Sequence, residues 1–412
     1  MANPLAVAAH NAFEAAIAAA DPAEAVLARL RAEHLVPGTG GRLQILGLGK
    51  AAPAMTEAAI GMVPDGTSWS AVAVTVEGAA SGREAAEILI GAHPVPDASS
   101  AEAGARLLAE AEALGPSDRL LVLISGGGSA LAVAPVDGVT LAEKAALNDL
   151  LLASGLDIVA MNTIRQRVSR LKGGGLAHAA APAPVTTLIL SDVIGDDVSA
   201  IASGPTAARV GKRGDAERLA RAAGIWDRLP ASVRTAIETE TDTAGFEAGN
   251  LVVGSNGQSV AAAAEALGSQ TPRVLPEPLI GDVQDAAEAL LREAEAGSFV
   301  TGGETTVIVR GSGKGGRNQE LALRFALVAE ERLQGDWVFL SGGTDGRDGP
   351  TDAAGAIVDP RTLEKIRSAG IDPRAALAAN DAYPALDAAD ALIKIPATGT
   401  NVADVQVFLR KL

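Results

Sequence analysis

Short apolar runs that end in glycine or an acidic residue recur along this chain, and most lead into a stretch with helical spacing. LQILG (43–47) precedes AAPAMTEAAIGM, and AVAVTV (71–76) leads through the loop GAHPVPDASS into AEAGARLLAEAEAL. LLVLIS (120–125) precedes TLAEKAALNDLLLASG, and TTLILS (186–191) opens into an irregular segment. That alternation predicts a parallel α/β sheet whose strand carboxyl ends carry the binding loops. Ahead of it, residues 3–35 read as an Ala-rich amphipathic helix broken at Asp21-Pro22, where proline suits the first turn of a new helix.

Between about 207 and 250 the strand pattern disappears, and charged helical residues with Pro230 suggest a connecting region. The expected division is therefore an N-terminal domain over 1–240 and a C-terminal α/β domain over 241–412, since 412 residues exceed one comfortable core. The second half offers LVVGSN with an Ala-rich helix, RVLPEPL, SFVTGG with TTVIVRG, a helix from about Gln319 to Leu333, WVFLSGG, LIKIP and VADVQVFL. TTVIVRG follows FVTGGE with no room for a crossover helix, so the second sheet is expected to be mixed, with antiparallel pairs.

Composition narrows the chemistry. The chain is 48% apolar, but its apolar runs are short and its first basic side chain after Met1 is Arg29, so neither a membrane span nor a secretory signal is expected and a cytoplasmic location is. With no cysteine and four scattered histidines, thiolate and zinc sites drop out, leaving a hard cation on oxygen ligands as the metal to expect. A net charge of -16 and 2% aromatic residues argue against a nucleic-acid surface.

The glycine-rich turns point to phosphate. Lys50 follows Gly47-Leu48-Gly49 at a predicted helix start, where its ammonium and free helix N–H groups would face one anion. The turn Ser125-Gly126-Gly127-Gly128-Ser129 repeats that design. Residues 311–320, GSGKGGRNQE, lack the leading glycine of a Walker loop, so Arg317 is read as a charge stabiliser for a transferring phosphoryl group, with Lys314 and Asn318 as phosphate contacts. Acidic residues cluster at Asp192, Asp196 and Asp197, at Glu304, and at Asp345, Asp348 and Asp352. Magnesium takes only one or two carboxylates beside substrate oxygens, so Asp192, Asp345 and Glu304 are the nominated ligands and most of the others are turn formers. Arg165, Arg167, Arg170 and Lys172 fall within eight residues of an otherwise acidic chain, and with His93 and Asn162 they are the candidate pocket for an anionic substrate, Arg165 foremost.

Taken in order, GLGKAA (47–52), GAHPVPDASS (91–100), SGGGSAL (125–131), MNTIRQRVSRLKGGGLA (161–177), SDVIGDDVSAIASGPT (191–206), GGETTVIVRGSGKGGRNQEL (302–321), GGTDGRDGPTDAAGA (342–356) and TGTNVADV (398–405) resemble the two-domain glycerate 2-kinases with a C-terminal MOFRL domain. The resemblance implies a Rossmann-like N-terminal domain, an active site in the interdomain cleft, and transfer of the γ-phosphoryl of ATP to the 2-hydroxyl of D-glycerate with Mg²⁺. By it, Lys50 and Arg317 take the catalytic positions; Asp192, at its strand end, is the third catalytic candidate on the reading of the residues. No nucleic-acid or membrane partner is implied, and a homodimer is left open. Relatives of this kind also carry the label hydroxypyruvate reductase. The Gly47-x-Gly49-x-x-Ala52 turn, with Glu77 as a ribose acceptor, makes an NAD(P)H-dependent reductase the alternative. A non-enzymatic binding protein is the third reading.

Overall fold

The computed structural model describes residues 3–79, 86–239, 246 and 248–411. The expected boundary at 240/241 lies outside the described residues. The chain forms two compact units, Pro22–Val253 and a discontinuous one made of Met1–Asp21 with Gly254–Leu412.

In the first unit the sheet runs β1 (Leu43–Leu48), β2 (Trp69–Thr75), β3 (Glu87–Ile90), β4 (Arg119–Ile124), β5 (Val185–Leu190) and β6 (Ala248–Gly254), in spatial order β3-β2-β1-β4-β5-β6. Neighbours from β3 through β5 are parallel. β1 and β4 are buried along almost their whole length, as apolar strands covered on both faces must be. The strand order reverses between β1 and β4, so the loops leaving their carboxyl ends diverge and leave the crevice in which such sheets bind ligands. β3 was not expected. EILI is only four residues, none of them buried, and too short to show a period.

The second unit holds β7 (Arg273–Val274), β8 (Leu279–Asp282), β9 (Phe299–Thr306), β10 (Trp337–Gly343), β11 (Gly355–Val358), β12 (Leu392–Ile393) and β13 (Asp404–Arg410). Their order is β12-β11-β10-β13-β9-β7, with β8 also on β9. The sheet is mixed as expected, but for a different reason. FVTGGETT is one continuous strand, and Val307–Arg310 leaves the sheet with Ile308 and Val309 exposed, so TTVIVRG makes no second strand. Antiparallel pairs arise where β13 inserts between β9 and β10 and runs against both, and again where β11 runs against β10 and β12.

Side chains along β13 alternate between two cores. Phe408 joins Phe299, Phe325, Phe339 and Trp337 under the helices Val283–Ala296 and Arg317–Ala329. Val405, Val407 and Leu409 face the helices Pro4–Ala18 and Asn256–Ala266. The N-terminal helix thus belongs to the C-terminal unit. Phe13 is fully buried over Gly342, where a Cβ would lie 2.6 Å from its ring, and Ser259 Oγ donates to Ala16 O at 2.7 Å. Among the described residues no helix is long and apolar enough to cross a membrane.

Candidate active site

The turns after β1 and β4 are stitched together. Lys50 N–H donates to Gly126 O at 2.9 Å, Ser125 N–H to Leu48 O at 2.9 Å, and Ala51 N–H to Ser125 Oγ at 3.0 Å. The Ser125 hydroxyl, nominated as a phosphate contact, is therefore buried in this clamp. Gly47 also serves packing: it lies inside β1, where a Cβ would come within 2.5 Å of Thr56 Oγ1 on the helix above.

Gly126 is glycine because the Asp192 carboxylate, from the end of β5, occupies the space a Cβ would need. At Gly127, with φ of 85°, an added Cβ would meet His93 Cδ2 at 3.2 Å and Lys50 Cε at 3.3 Å. Lys50, His93 and Asp192 thus surround one glycine turn at the sheet's switch point. Burial pushes Asp192 above the usual carboxylate range, opposed by the charge of Lys50 and the N–H of Gly127. Burial and then the Lys50 charge push His93 down.

The four basic residues of 165–172 separate into different roles. Arg170 pairs with Glu112 on the surface, and Arg167 donates to the carbonyls of Val210, Gly211 and Lys212, strapping that loop down. Arg165 and Lys172 turn inward and meet Lys144, a residue that sequence reasoning missed. Arg165 Nη2 donates to Asn148 Oδ1 at 2.6 Å, while its buried Nε has no protein partner. Asn162 is buried nearby against Ser203. Burial and then the charge of Arg165 push Lys144 down to about 8. Lys144 and Arg165, half-buried cations that face no carboxylate among the described residues, make an environment that an anionic ligand neutralises.

In the other unit Arg317 opens the helix Arg317–Ala329 and is already held. Nε and Nη2 donate to the two Asp404 oxygens at 2.7 and 2.9 Å, and Nη1 lies 2.8 Å from Glu304 Oε1. Burial works against the charge, but Asp404, with Glu304 and Asp348 behind it, raises Arg317 above its ordinary value. Asp348 caps the same helix, accepting from Asn318 N and Gln319 N at 3.1 and 2.8 Å, in space that Gly316 leaves free. Asn318 is buried, its Oδ1 accepting from Ser341 Oγ at 2.6 Å. Lys314 lays its ammonium over the Tyr383 ring, 4.1 Å from the centroid. Asp345 accepts from Arg347 N–H in its own turn, with Oδ1 3.2 Å from the Cβ position of Gly343 and Asp404 Oδ1 3.5 Å from it.

Among the described residues no three His, Asp or Glu side chains converge as a metal-binding group. A magnesium ion that keeps most of its ligands from phosphate and water needs only one or two carboxylates, which Asp192 can supply within its unit. Asp197 accepts from Ser199 N and Oγ and Asp352 from Tyr383 OH, as turn and surface residues do.

Two family models match the chain, a domain of unknown function, DUF4147, over residues 8–238 and the MOFRL family over 297–404. The D-glycerate 2-kinase of Thermotoga maritima is 37% identical over 89% of this chain and 90% of its own. The human glycerate kinase is 40% identical over 77% of this chain and 72% of its own. A protein of Agrobacterium vitis with the provisional name hydroxypyruvate reductase is 42% identical over 96% and 92%. The crystal structure of a Thermotoga maritima glycerate kinase superposes with a TM-score of 0.89 at 35% identity, covering 98% of this chain and 99% of that one. With both domain models in place and relatives of this similarity along most of its length, the chain belongs to the glycerate kinase family built from a DUF4147 domain and a MOFRL domain.

Proposed function

We propose that this protein transfers the γ-phosphoryl group of ATP to the 2-hydroxyl of D-glycerate, giving 2-phosphoglycerate and ADP. The observation that carries this reading is the pairing, within one unit, of a phosphate-type turn with an inward-facing cationic cluster. Lys50, Gly126, Gly127 and Asp192 sit at the sheet's switch point, and the cations Lys144 and Arg165 face inward beside Lys172 with no carboxylate against them among the described residues. The first arrangement suits a phosphate chain and the second a small carboxylate.

In this reading Lys50 and the N–H groups of the Gly126–Ser129 turn hold phosphate oxygens, so that charge moving toward the leaving group meets a fixed cation. A divalent cation such as Mg²⁺ beside Asp192 would supply further charge neutralisation to those oxygens. Arg165, with Asn162 and His93, orients the glycerate. Arg317 is assigned the stabilisation of charge on the transferring group, and the Asp404 fork keeps its guanidinium plane fixed for that task. We assign the phosphate and glycerate contacts to the unit Pro22–Val253 and the Arg317 role to the unit made of Met1–Asp21 with Gly254–Leu412.

Phosphorus NMR of a reaction with ATP, Mg²⁺ and D-glycerate tests the proposal, with NADH oxidation by hydroxypyruvate measured in parallel. A 2-phosphoglycerate signal supports it. A 3-phosphoglycerate signal, or NADH turnover without phosphoglycerate, overturns it.

A further inference from the structure

Lys172 is a buried lysine with no acid against it among the described residues. Its side chain is 2% exposed, and Nζ donates to Ser129 O at 2.9 Å. Nζ also touches Ser129 Oγ and lies 3.3 Å from Ser203 Oγ, and the two hydroxyls are 3.1 Å apart. The charged groups facing it are Lys144, from the helix Leu141–Leu152, and Arg165, from the helix Ile158–Arg165, both positive. An ammonium taken out of water beside two cations is unfavourable, and a lysine so placed sheds its proton. Burial, then Lys144, then Arg165 hold it well below the usual lysine range.

The backbone is bent to make this contact. Ala202 and Ser203 take left-handed conformations, with φ of 51° and 61°, which are strained at non-glycine positions. Gly173 N–H and Gly174 N–H donate to Ser203 O at 3.0 Å and Gly204 O at 2.8 Å. Those glycines directly follow Lys172, so a single stretch of chain delivers the amine and clamps the strained hydroxyl against it. Ser129, the outer member, is half-buried and ends the Gly126–Gly128 turn that Lys50, His93 and Asp192 surround.

We propose that Ser129 and Lys172 form a proton relay, in which the attacking substrate hydroxyl passes its proton to Ser129 Oγ while the Ser129 proton passes to Lys172 Nζ. Ser203 is a positioning residue for the amine. The inference rests on the phosphotransferase reading above. As the substrate oxygen bonds to the γ-phosphorus, the bond from that phosphorus to the bridging oxygen breaks and ADP keeps its electron pair. The proton resides on Lys172 and returns to solvent after the products leave.

The charge state of Lys172 is measurable without any substrate. NMR titration of protein carrying ¹³Cε-labelled lysine, with the Lys172→Arg spectrum as the assignment, is expected to show Lys172 losing its proton well before the surface lysines do. A Lys172 signal that stays cationic above pH 9 overturns the relay, whether or not glycerate is the substrate. In turnover, Lys172→Arg and Ser129→Ala are expected to lose about 100-fold or more in kcat with little change in the ATP KM, the scale of acid–base catalysis. Lys172→Ala is expected to regain activity with added methylamine, increasingly as the pH rises toward the amine's own pKa. Lys172→Arg with wild-type kcat, or absence of amine rescue, overturns the proposal. A wild-type enzyme that leaves glycerate unphosphorylated overturns the substrate reading, and the NMR titration still decides the state of Lys172.

Discussion

The guanidinium of Arg317 is held by Asp404 in a two-point fork, Nε and Nη2 meeting the two carboxylate oxygens at 2.7 and 2.9 Å. Asp404 is completely buried, whereas the Arg317 side chain is 35% exposed, so the pair fixes the plane of the cation while leaving part of it accessible. Lysine keeps the charge but cannot fill a planar fork. Arg317→Lys is expected to lower kcat about 100- to 1000-fold, as removal of a fixed transition-state donor does. Steady-state kinetics with ATP and D-glycerate check this, and near-normal kcat would refute the assignment.

Lys50→Ala is expected to reduce kcat by a similar factor, about 100-fold or more, because its charge is assigned to phosphates whose charge shifts during transfer. Its fold should persist, since Lys50 is exposed and its structural bond to Gly126 is made by backbone. Circular dichroism beside the kinetics separates the two effects, and turnover close to wild type would count against the role.

Replacing Arg165 with alanine is expected to raise the glycerate KM about 10- to 100-fold, the value of a charge-assisted hydrogen bond, with the ATP KM nearly unchanged. If ATP alone binds worse, the inward cations contact the nucleotide and the carboxylate pocket lies elsewhere.

Asp348 sets a pH dependence. Burial, resisted by the N–H groups of Gln319 and Asn318 and by Arg317, raises it from 3.8 to about 6. The folded state then binds a proton that the unfolded chain has released, so this group's stabilising contribution is present below the unfolded value of 3.8 and is lost as pH rises through about 6. Asp348→Asn is expected to remove that part of the slope from urea-unfolding free energies measured between pH 4 and 7. An unchanged slope would show that Asp348 titrates normally.

The sequence showed the turns more clearly than it showed their partners. Lys50, Gly126 and Asp192 were legible because each follows an apolar strand within a few residues, and strand, turn and helix are local properties. Lys144 and Ser203 were not. Each joins Lys172 across a long sequence separation, and neither the pattern around Lys144, an ordinary charged helix, nor that around Ser203 announces the contact. Asp404 does leave a signal in the sequence: a single acid inside the apolar run VADVQVFL requires a cation if the strand is buried. Ser125 shows the reverse limit, since a glycine-rich turn identifies the loop but not which hydroxyls the fold consumes.

The placement of the helix Pro4–Ala18 also matters for the order in which the protein is made. The surface that buries Phe13, around Gly342, is translated more than 300 residues after it. At about 5–20 residues per second the helix waits for tens of seconds with its apolar stripe uncovered, while everything in Pro22–Val253 is synthesised and able to fold. A fragment that begins at residue 254 would therefore lack one wall of its own core, and one ending at 253 would carry an orphaned helix.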